Sequence, residues 1–222
     1  MLNTIYEAVI QFLFPPHCPS CRAYVEKEGQ WCDNCLNEIM RNKNLAYDAD
    51  VRRYISPIIA IGKYDKGLKD LIHELKYQND FSALPYIYTV LKRLDNEWQL
   101  FLSDFDYVIP VPLHPEKLKQ RGFNQVDKIF FPWIKEHKLH YADILIRTKK
   151  TKSQYSLNPS ERSENLNAAF ALKKGFSVTG SKCLLIDDIF TTGSTLKNCA
   201  KVLKEHGAVN VSGLVLASNA DD

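Results

Sequence analysis

The sequence lacks a segment able to cross a bilayer: its apolar N-terminal run, Leu2 to Phe14, carries Glu7 and stops at Pro15 and Pro16. That is short of the roughly 20 residues a spanning helix needs. It also lacks the basic start and small-residue cleavage site of a secretory signal, so we expect a cytosolic protein with that run packed on its own domain. The Asn210-Val211-Ser212 sequon then has no meaning, because glycosylation requires secretion. Charge of one sign is scarce. A net charge of +3 is too small to indicate nucleic acid by itself, although it leaves room for a local basic face. Internal repeats and low-complexity tracts are missing as well. What remains is 222 residues of ordinary globular composition, 45% hydrophobic and 25% charged, enough for one medium domain plus a small appendage.

The cysteines do not read as disulfides. Cys18 and Cys21 form one C-x-x-C pair, Cys32 and Cys35 another, with ten residues between the pairs. Two residues between thiolates let both sulfurs of a turn face a single ion, and two such turns close a tetrahedral zinc site. A closed site is structural, and metal binding supplies the folding free energy that so small a segment cannot draw from a core. The competing reading is a redox C-x-x-C. Cys183 opens an apolar strand pattern and Cys199 lies in a helical one, so both read as small buried hydrophobes without a catalytic role.

Beyond the cysteines the chain changes character. Asn37 to Arg53 is polar and charged, read as a helix and linker, which sets the expected division at 1–50, an N-terminal helix with zinc module and linker, and 51–222, the main domain. An apolar stretch from Tyr54 to Tyr64 is a strand candidate, followed by helical patterns at Lys66 to Tyr77 and Ser82 to Asp95. Short strand candidates follow at Tyr107 to Pro112, Ile144 to Arg147, Ala169 to Leu172, Cys183 to Ile186 and Val209 to Leu216. Helical patterns fall at Asn124 to Glu136, interrupted at Pro132, and at Ser194 to Glu205. Several strands lack polar alternation, as strands buried on both faces do. The fold class is α/β, with a mainly parallel sheet flanked by helices.

The segment Leu184 to Leu196, LLIDDIFTTGSTL, carries the chemistry. A buried strand ends in Asp187 and Asp188, passes through a threonine-rich loop around Gly193, and enters an amphipathic helix. Gly193 lets the backbone turn tightly and approach a ligand, while amides at the helix start cradle an anion. Thr191, Thr192, Ser194 and Thr195 add hydroxyl donors. The carboxylates would repel a bare phosphate, but they suit ribose hydroxyls and magnesium. Together these features suit a sugar phosphate bound at the carboxyl end of a strand.

This loop resembles the 5-phosphoribosyl-1-pyrophosphate (PRPP) motif of type I phosphoribosyltransferases. The resemblance implies that Asp187 and Asp188 hold the ribose hydroxyls and that Thr191, Thr192, Gly193, Ser194 and Thr195 hold the 5-phosphate. The whole chain is similar to the ComF family through the paired cysteines, HELKY at His73 to Tyr77, VIPVPL at Val108 to Leu113, RGFNQ at Arg121 to Gln125, and the loop itself. That similarity implies a part in natural transformation, the import of single-stranded DNA, together with a competence helicase, in the cytosol or peripheral to the inner face of the membrane through the DNA-uptake machinery. It also implies that pyrophosphate lies in the loop running from Leu113 and Pro115 to Arg121, whose guanidinium offers a planar fork to phosphate oxygens. The plainer reading makes Arg121 a solvated residue at a helix start.

From Ile146 to Asn167 runs a long polar stretch with Arg147, Lys149, Lys150 and Lys152 at its head and Tyr155 beside them. Long loops of this kind act as lids over ligands, and in the wider transferase family the matching segment closes over PRPP. Its cations have three readings: pyrophosphate, a DNA backbone, or water. Tyr155 is a candidate for base stacking.

One departure narrows the chemistry. Salvage transferases of the hypoxanthine-guanine type place an acidic residue directly before the Thr-Gly of this loop, where the present chain has Thr191. Purine salvage of that kind is therefore disfavoured. Two readings remain: a competence protein whose pocket binds PRPP, or an active phosphoribosyltransferase with an unknown acceptor.

Overall fold

The computed structural model describes residues 13–94, 99–148 and 169–219. Lys149, Lys150, Lys152, Tyr155 and most of the N-terminal apolar run lie outside them. In chain order the elements are α1 (Asp33–Ile39), β1 (Met40–Asn44), α2 (Ala49–Arg52), β2 (Ile58–Lys63), α3 (Lys66–His73), a π-helical turn (Glu74–Gln78), α4 (Ala83–Lys92), α5 (Gln99–Leu102) and β3 (Tyr107–Pro110). They continue with α6 (Pro115–Arg121), α7 (Gln125–Glu136), β4 (Leu145–Arg147), β5 (Phe170–Leu172), β6 (Lys182–Phe190), α8 (Ser194–Glu205) and β7 (Asn210–Ser218).

The main sheet has the order β1-β2-β7-β6-β3, with β4 and β5 forming a separate antiparallel ribbon. Strands β2, β7, β6 and β3 run parallel, and β1 caps the edge antiparallel to β2. Alternation along β6 explains the two cores. Leu184 and Ile186 face a layer built from the cysteine module, α3, α4 and α7, while Cys183 and Leu185 face a layer built from α8 and the β4-β5 ribbon. Each fully buried Leu or Ile adds about 1.5 to 3 kcal/mol of transfer free energy, so side chains on both faces hold the strand in register.

Three local readings change. The polar segment at Met40–Asn44 is a strand, selected by an unpaired edge of β2 and not by its own apolar pattern. Helix α7 runs unbroken through Pro132. Its buried stripe, Val126, Ile129, Phe130, Trp133 and Ile134, holds the segment helical against the proline's cost, and the proline itself is on the exposed face. Arg121 ends α6 in place of starting a helix, with Gly122 as a left-handed cap at φ 78°. A cation in a last turn is electrostatically favourable.

Candidate functional site

The cysteine module comes first in the chain. Cys18, Cys21, Cys32 and Cys35 place their sulfurs within 4.8 Å of one another, and Cys21 Sγ lies 3.6 Å from Cys32 Sγ. A tetrahedral zinc with bonds of about 2.3 Å spaces its sulfurs at roughly 3.8 Å, so the donor set fits that ion. Burial and the neighbouring Cys32 push the Cys35 thiol up to about 12. Four clustered thiolates therefore require a cation to be stable together. The site is a structural zinc site. A turn closed by Cys18 N donating to Ala23 O at 2.8 Å presents the first pair, and Cys32 precedes α1 to present the second.

The module is fastened to the layer beneath it. Trp31 Nε1 donates to Tyr86 O at 3.0 Å, and Thr89 Oγ1 to Gly29 O at 2.8 Å. Gly67, in the first turn of α3, lies so close to Pro19 that a Cβ would meet its carbonyl carbon at 2.8 Å. Among the described residues no helix is long and apolar enough to cross a membrane.

The second constellation sits at the carboxyl ends of β3 and β6. Pro110 of β3 pairs with Ile186, and β6 then continues four residues further to Phe190. Asp187 and Asp188 thus emerge beyond the end of the neighbouring strand, on opposite faces of the sheet. Asp188 is buried at 5% exposure, and Lys76 of the π-helical turn reaches it, Nζ to Oδ1 at 2.9 Å. Its other oxygen, Oδ2, is buried and has no hydrogen-bond partner among the described residues. Asp187 is half-buried and faces the α8 side. Desolvation, then the adjacent Asp188 charge, push its carboxyl well above the usual carboxylate range, while its own Oδ1 accepts from Asp188 N and Lys76 and Arg147 pull the other way.

Arg147 ends β4, stacks on Phe170 at 5.3 Å, and keeps a buried Nε without a partner among the described residues. Lys76 is thus bonded to Asp188, and the Arg147 charge acts on Asp187 without an ion pair between them among the described residues.

After the acidic pair, Gly193 takes φ +75° and packs so tightly that a Cβ would meet Phe190 at 2.9 Å and Val51 at 3.2 Å. It starts α8. Thr192 Oγ1 and Ser194 Oγ lie 2.8 Å apart, and Thr191, Thr192 and Ser194 are exposed around the helix start. A small cleft lined by Asp187, Thr191, Gly193, Ser194 and Thr195 brings the acidic residue, loop hydroxyls and helix amides to one place. Asp188 donates its backbone N–H to Asp187 Oδ1 at 2.8 Å, while its own side chain lies on the other face of the sheet with Lys76.

Arg121 lies on the Lys76 side. Its Nη1 donates to Gln125 Oε1 at 2.8 Å, and its guanidinium covers the Tyr77 ring at 5.3 Å. Asn124 fixes the corner between α6 and α7: its amide donates to Val111 O at 3.1 Å while its Oδ1 accepts from Val126 N. Lys76 is the residue that the sequence did not place. It stands 112 positions before Asp188, and its sequence signal is its place in the family-like block His73 to Tyr77, from which no role follows by spacing. Cys183 and Cys199 lie in the core, and burial followed by the Asp106 charge pushes the Cys183 thiol up to about 12.

Two family models match this chain: a double zinc ribbon domain over residues 9–45 and a phosphoribosyl transferase domain over residues 125–222. Over 214 residues it is 30% identical to Competence protein F of Haemophilus influenzae, spanning 91% of this chain and 85% of that protein. The chain belongs to the ComF family. A second family member, Competence protein ComFC of Streptococcus pneumoniae, is 29% identical over 87% of this chain and 84% of its own length. The DNA utilization protein YhgH of Escherichia coli is 29% identical over 87% and 80%. The fold is that of a type I phosphoribosyltransferase carrying an N-terminal zinc ribbon, as the motifs imply.

Proposed function

We propose that this protein acts in natural transformation, handling single-stranded DNA that enters the cytosol, and that its phosphoribosyltransferase-type pocket binds PRPP. The observation that carries the pocket is the pair Asp187 and Asp188 at the end of β6, with Lys76 bonded to Asp188 and the Arg147 charge acting on Asp187, followed by a glycine-started helix. Asp188 Oδ2, buried and without a partner among the described residues, suits a hydroxyl donor such as a ribose hydroxyl. Thr191, Thr192, Gly193, Ser194 and Thr195 form the cradle for the 5-phosphate, where helix amides and hydroxyls converge.

The same carboxylates suit magnesium, which takes oxygen ligands and keeps most of its waters. Bound there with PRPP, it would neutralise charge on the pyrophosphate. In this reading Arg121 meets the pyrophosphate with its guanidinium fork, and Arg147, whose buried Nε has no partner among the described residues and whose charge acts on Asp187, is a second cation for it. A competence helicase is the partner implied by family membership, and the stretch containing Lys149, Lys150, Lys152 and Tyr155 is a second candidate contact for PRPP or DNA.

A transferase reading is favoured by one feature, the intact acidic pair with its countercharges. In that reaction the ribose C1 bond to pyrophosphate breaks and a bond from C1 to an acceptor nucleophile forms, with pyrophosphate as the leaving group. The chain's residues would contribute position and charge stabilisation.

Complementation separates the biological role from the pocket. A naturally transformable strain lacking its own ComF relative should regain transformation with the wild-type gene and not with Asp188→Ala at equal protein level. Full recovery with Asp188→Ala would remove the pocket from the role, and no recovery with wild type would remove the role. Pyrophosphate release from PRPP with an acceptor, abolished by the same substitution, would establish the transferase reading.

A further inference from the structure

Beside the pocket, the surface carries an arrangement of which only Arg121 has a part in the PRPP reading. Tyr77 lies at the end of the π-helical turn and is 67% exposed, and Phe81, four residues on, is 46% exposed. Across from them the corner between α6 and α7 supplies Arg121 and Phe123. Arg121 covers Tyr77 at 5.3 Å, and the rings of Phe81 and Phe123 stand 5.1 Å apart. Exposed Lys128 caps both phenylalanines, Nζ 5.5 Å from one ring and 5.9 Å from the other. The two segments thus meet in two aromatic contacts, each topped by a cation.

A core-building role does not explain this. Phe81 and Tyr77 leave about half or more of their surface in water, where single apolar side chains are ordinary, yet here each exposed ring lies under a cation of the facing segment. The neighbouring helix α6 buries none of its residues, and its Lys117 lies one turn from Arg121 on the same side of the helix. Rings interleaved with cations are the chemistry that holds an unpaired strand: bases stack on the rings, and phosphates meet the cations. A protein partner would be served by an apolar patch with far less positive charge.

We propose that Tyr77, Phe81 and Phe123, with Arg121 and Lys128, form a base-stacking ledge for single-stranded nucleic acid at the mouth of the PRPP pocket. This inference rests on the reading that the protein handles DNA and assigns that contact to the rim of the folded domain. Position supports it: Tyr77 follows Lys76, the residue bonded to Asp188, so a strand on the ledge and a ligand in the pocket share one turn of backbone.

The test uses the full-length, zinc-loaded protein and a fluorescent 20-nucleotide oligo(dT). The double variant Tyr77→Ala, Phe81→Ala removes exposed rings only, and an unchanged melting temperature verifies its fold. Affinity should fall by about tenfold or more, as loss of base stacking requires, with the salt slope retained. Lys128→Ala should instead reduce the slope of log affinity against log salt by somewhat under one, and Tyr77→Trp should keep affinity and show quenching of its indole on binding. Equal oligo(dT) affinity for wild type and the double variant would overturn the ledge while leaving DNA handling intact. Absence of binding by wild type would overturn the DNA contact itself, and with it the ledge. Duplex bound as tightly as single strand would also overturn it, since paired bases cannot stack on a protein surface.

Discussion

Lys76 Nζ lies 2.9 Å from Asp188 Oδ1, with the two side chains 15% and 6% exposed. The bond joins the π-helical turn to the end of β6 and pairs a charge that the sheet alone would leave buried. It engages Oδ1 and leaves Oδ2 buried without a partner among the described residues.

Removing one partner of such a pair leaves the other uncompensated. Lys76→Met should destabilise the fold by about 3 kcal/mol and weaken PRPP binding, whereas Lys76→Met combined with Asp188→Asn should be the more stable of the two variants. Urea midpoints for the four members of the cycle measure the coupling. Additive effects would mean that the two groups do not interact in solution.

Gly193 is set by geometry in the same way. At φ +75°, with Phe190 and Val51 already in contact range of a Cβ, Gly193→Ala combines backbone strain with a clash. A loss of about 1 to 2 kcal/mol from the left-handed conformation alone is expected, along with weaker PRPP binding. Thermal denaturation and ligand titration together check it, and a neutral outcome in both would show that the loop tolerates another conformation.

In sequence the zinc module reads as a small segment that folds only with its metal. Its packing argues for a wider effect, because Cys18, Trp31, Leu36 and Ile39 join one apolar cluster with Leu68, Ile72 and Ile87. Chelation, or Cys18→Ser, should lower the melting temperature of the whole chain in one cooperative transition. Two separate calorimetric transitions would instead support division near residue 50.

Asp127 supplies a pH test. Burial pushes its carboxyl above the ordinary range, while the Tyr141 hydroxyl, which donates to Oδ1 at 2.7 Å, pulls it down; Asp143 raises it, and Lys173 and Lys128 lower it. A carboxyl raised in the folded state is easier to ionise when unfolded, so its stabilising contribution is full below the unfolded value, near 4, and declines as pH rises through the folded value. Asp127→Asn keeps an acceptor for Tyr141 and removes the titration. Its melting temperature should fall less than wild type's as pH rises from about 4 into the neutral range, and parallel curves would contradict that assignment.

These features differ in how far the sequence exposes them. The helix from Ser194 to Glu205 and the strand carrying Asp187 and Asp188 were readable because apolar periodicity and the acidic pair are local signals, although the strand runs on to Phe190 through its pairing with β7. The paired cysteines were equally plain, since each ligand pair is fixed by a spacing of two. The strand Met40–Asn44 was not, because its polar residues are strand only through hydrogen bonds to β2. Pro132 misled in the other direction: tertiary burial of Phe130 and Trp133 outweighs a local breaker. Lys76 and the Tyr77-Arg121 stack depend on segments that meet only after the sheet has formed, and no spacing rule reaches across them.

The account turns on whether the pocket at the end of β6 takes PRPP, and calorimetric titration of PRPP with magnesium into the zinc-loaded protein tests this most directly. Micromolar binding by wild type, abolished in an Asp187→Ala, Asp188→Ala double variant that retains its fold, is the predicted result. No binding by folded wild type, or equal binding by the double variant, would contradict it.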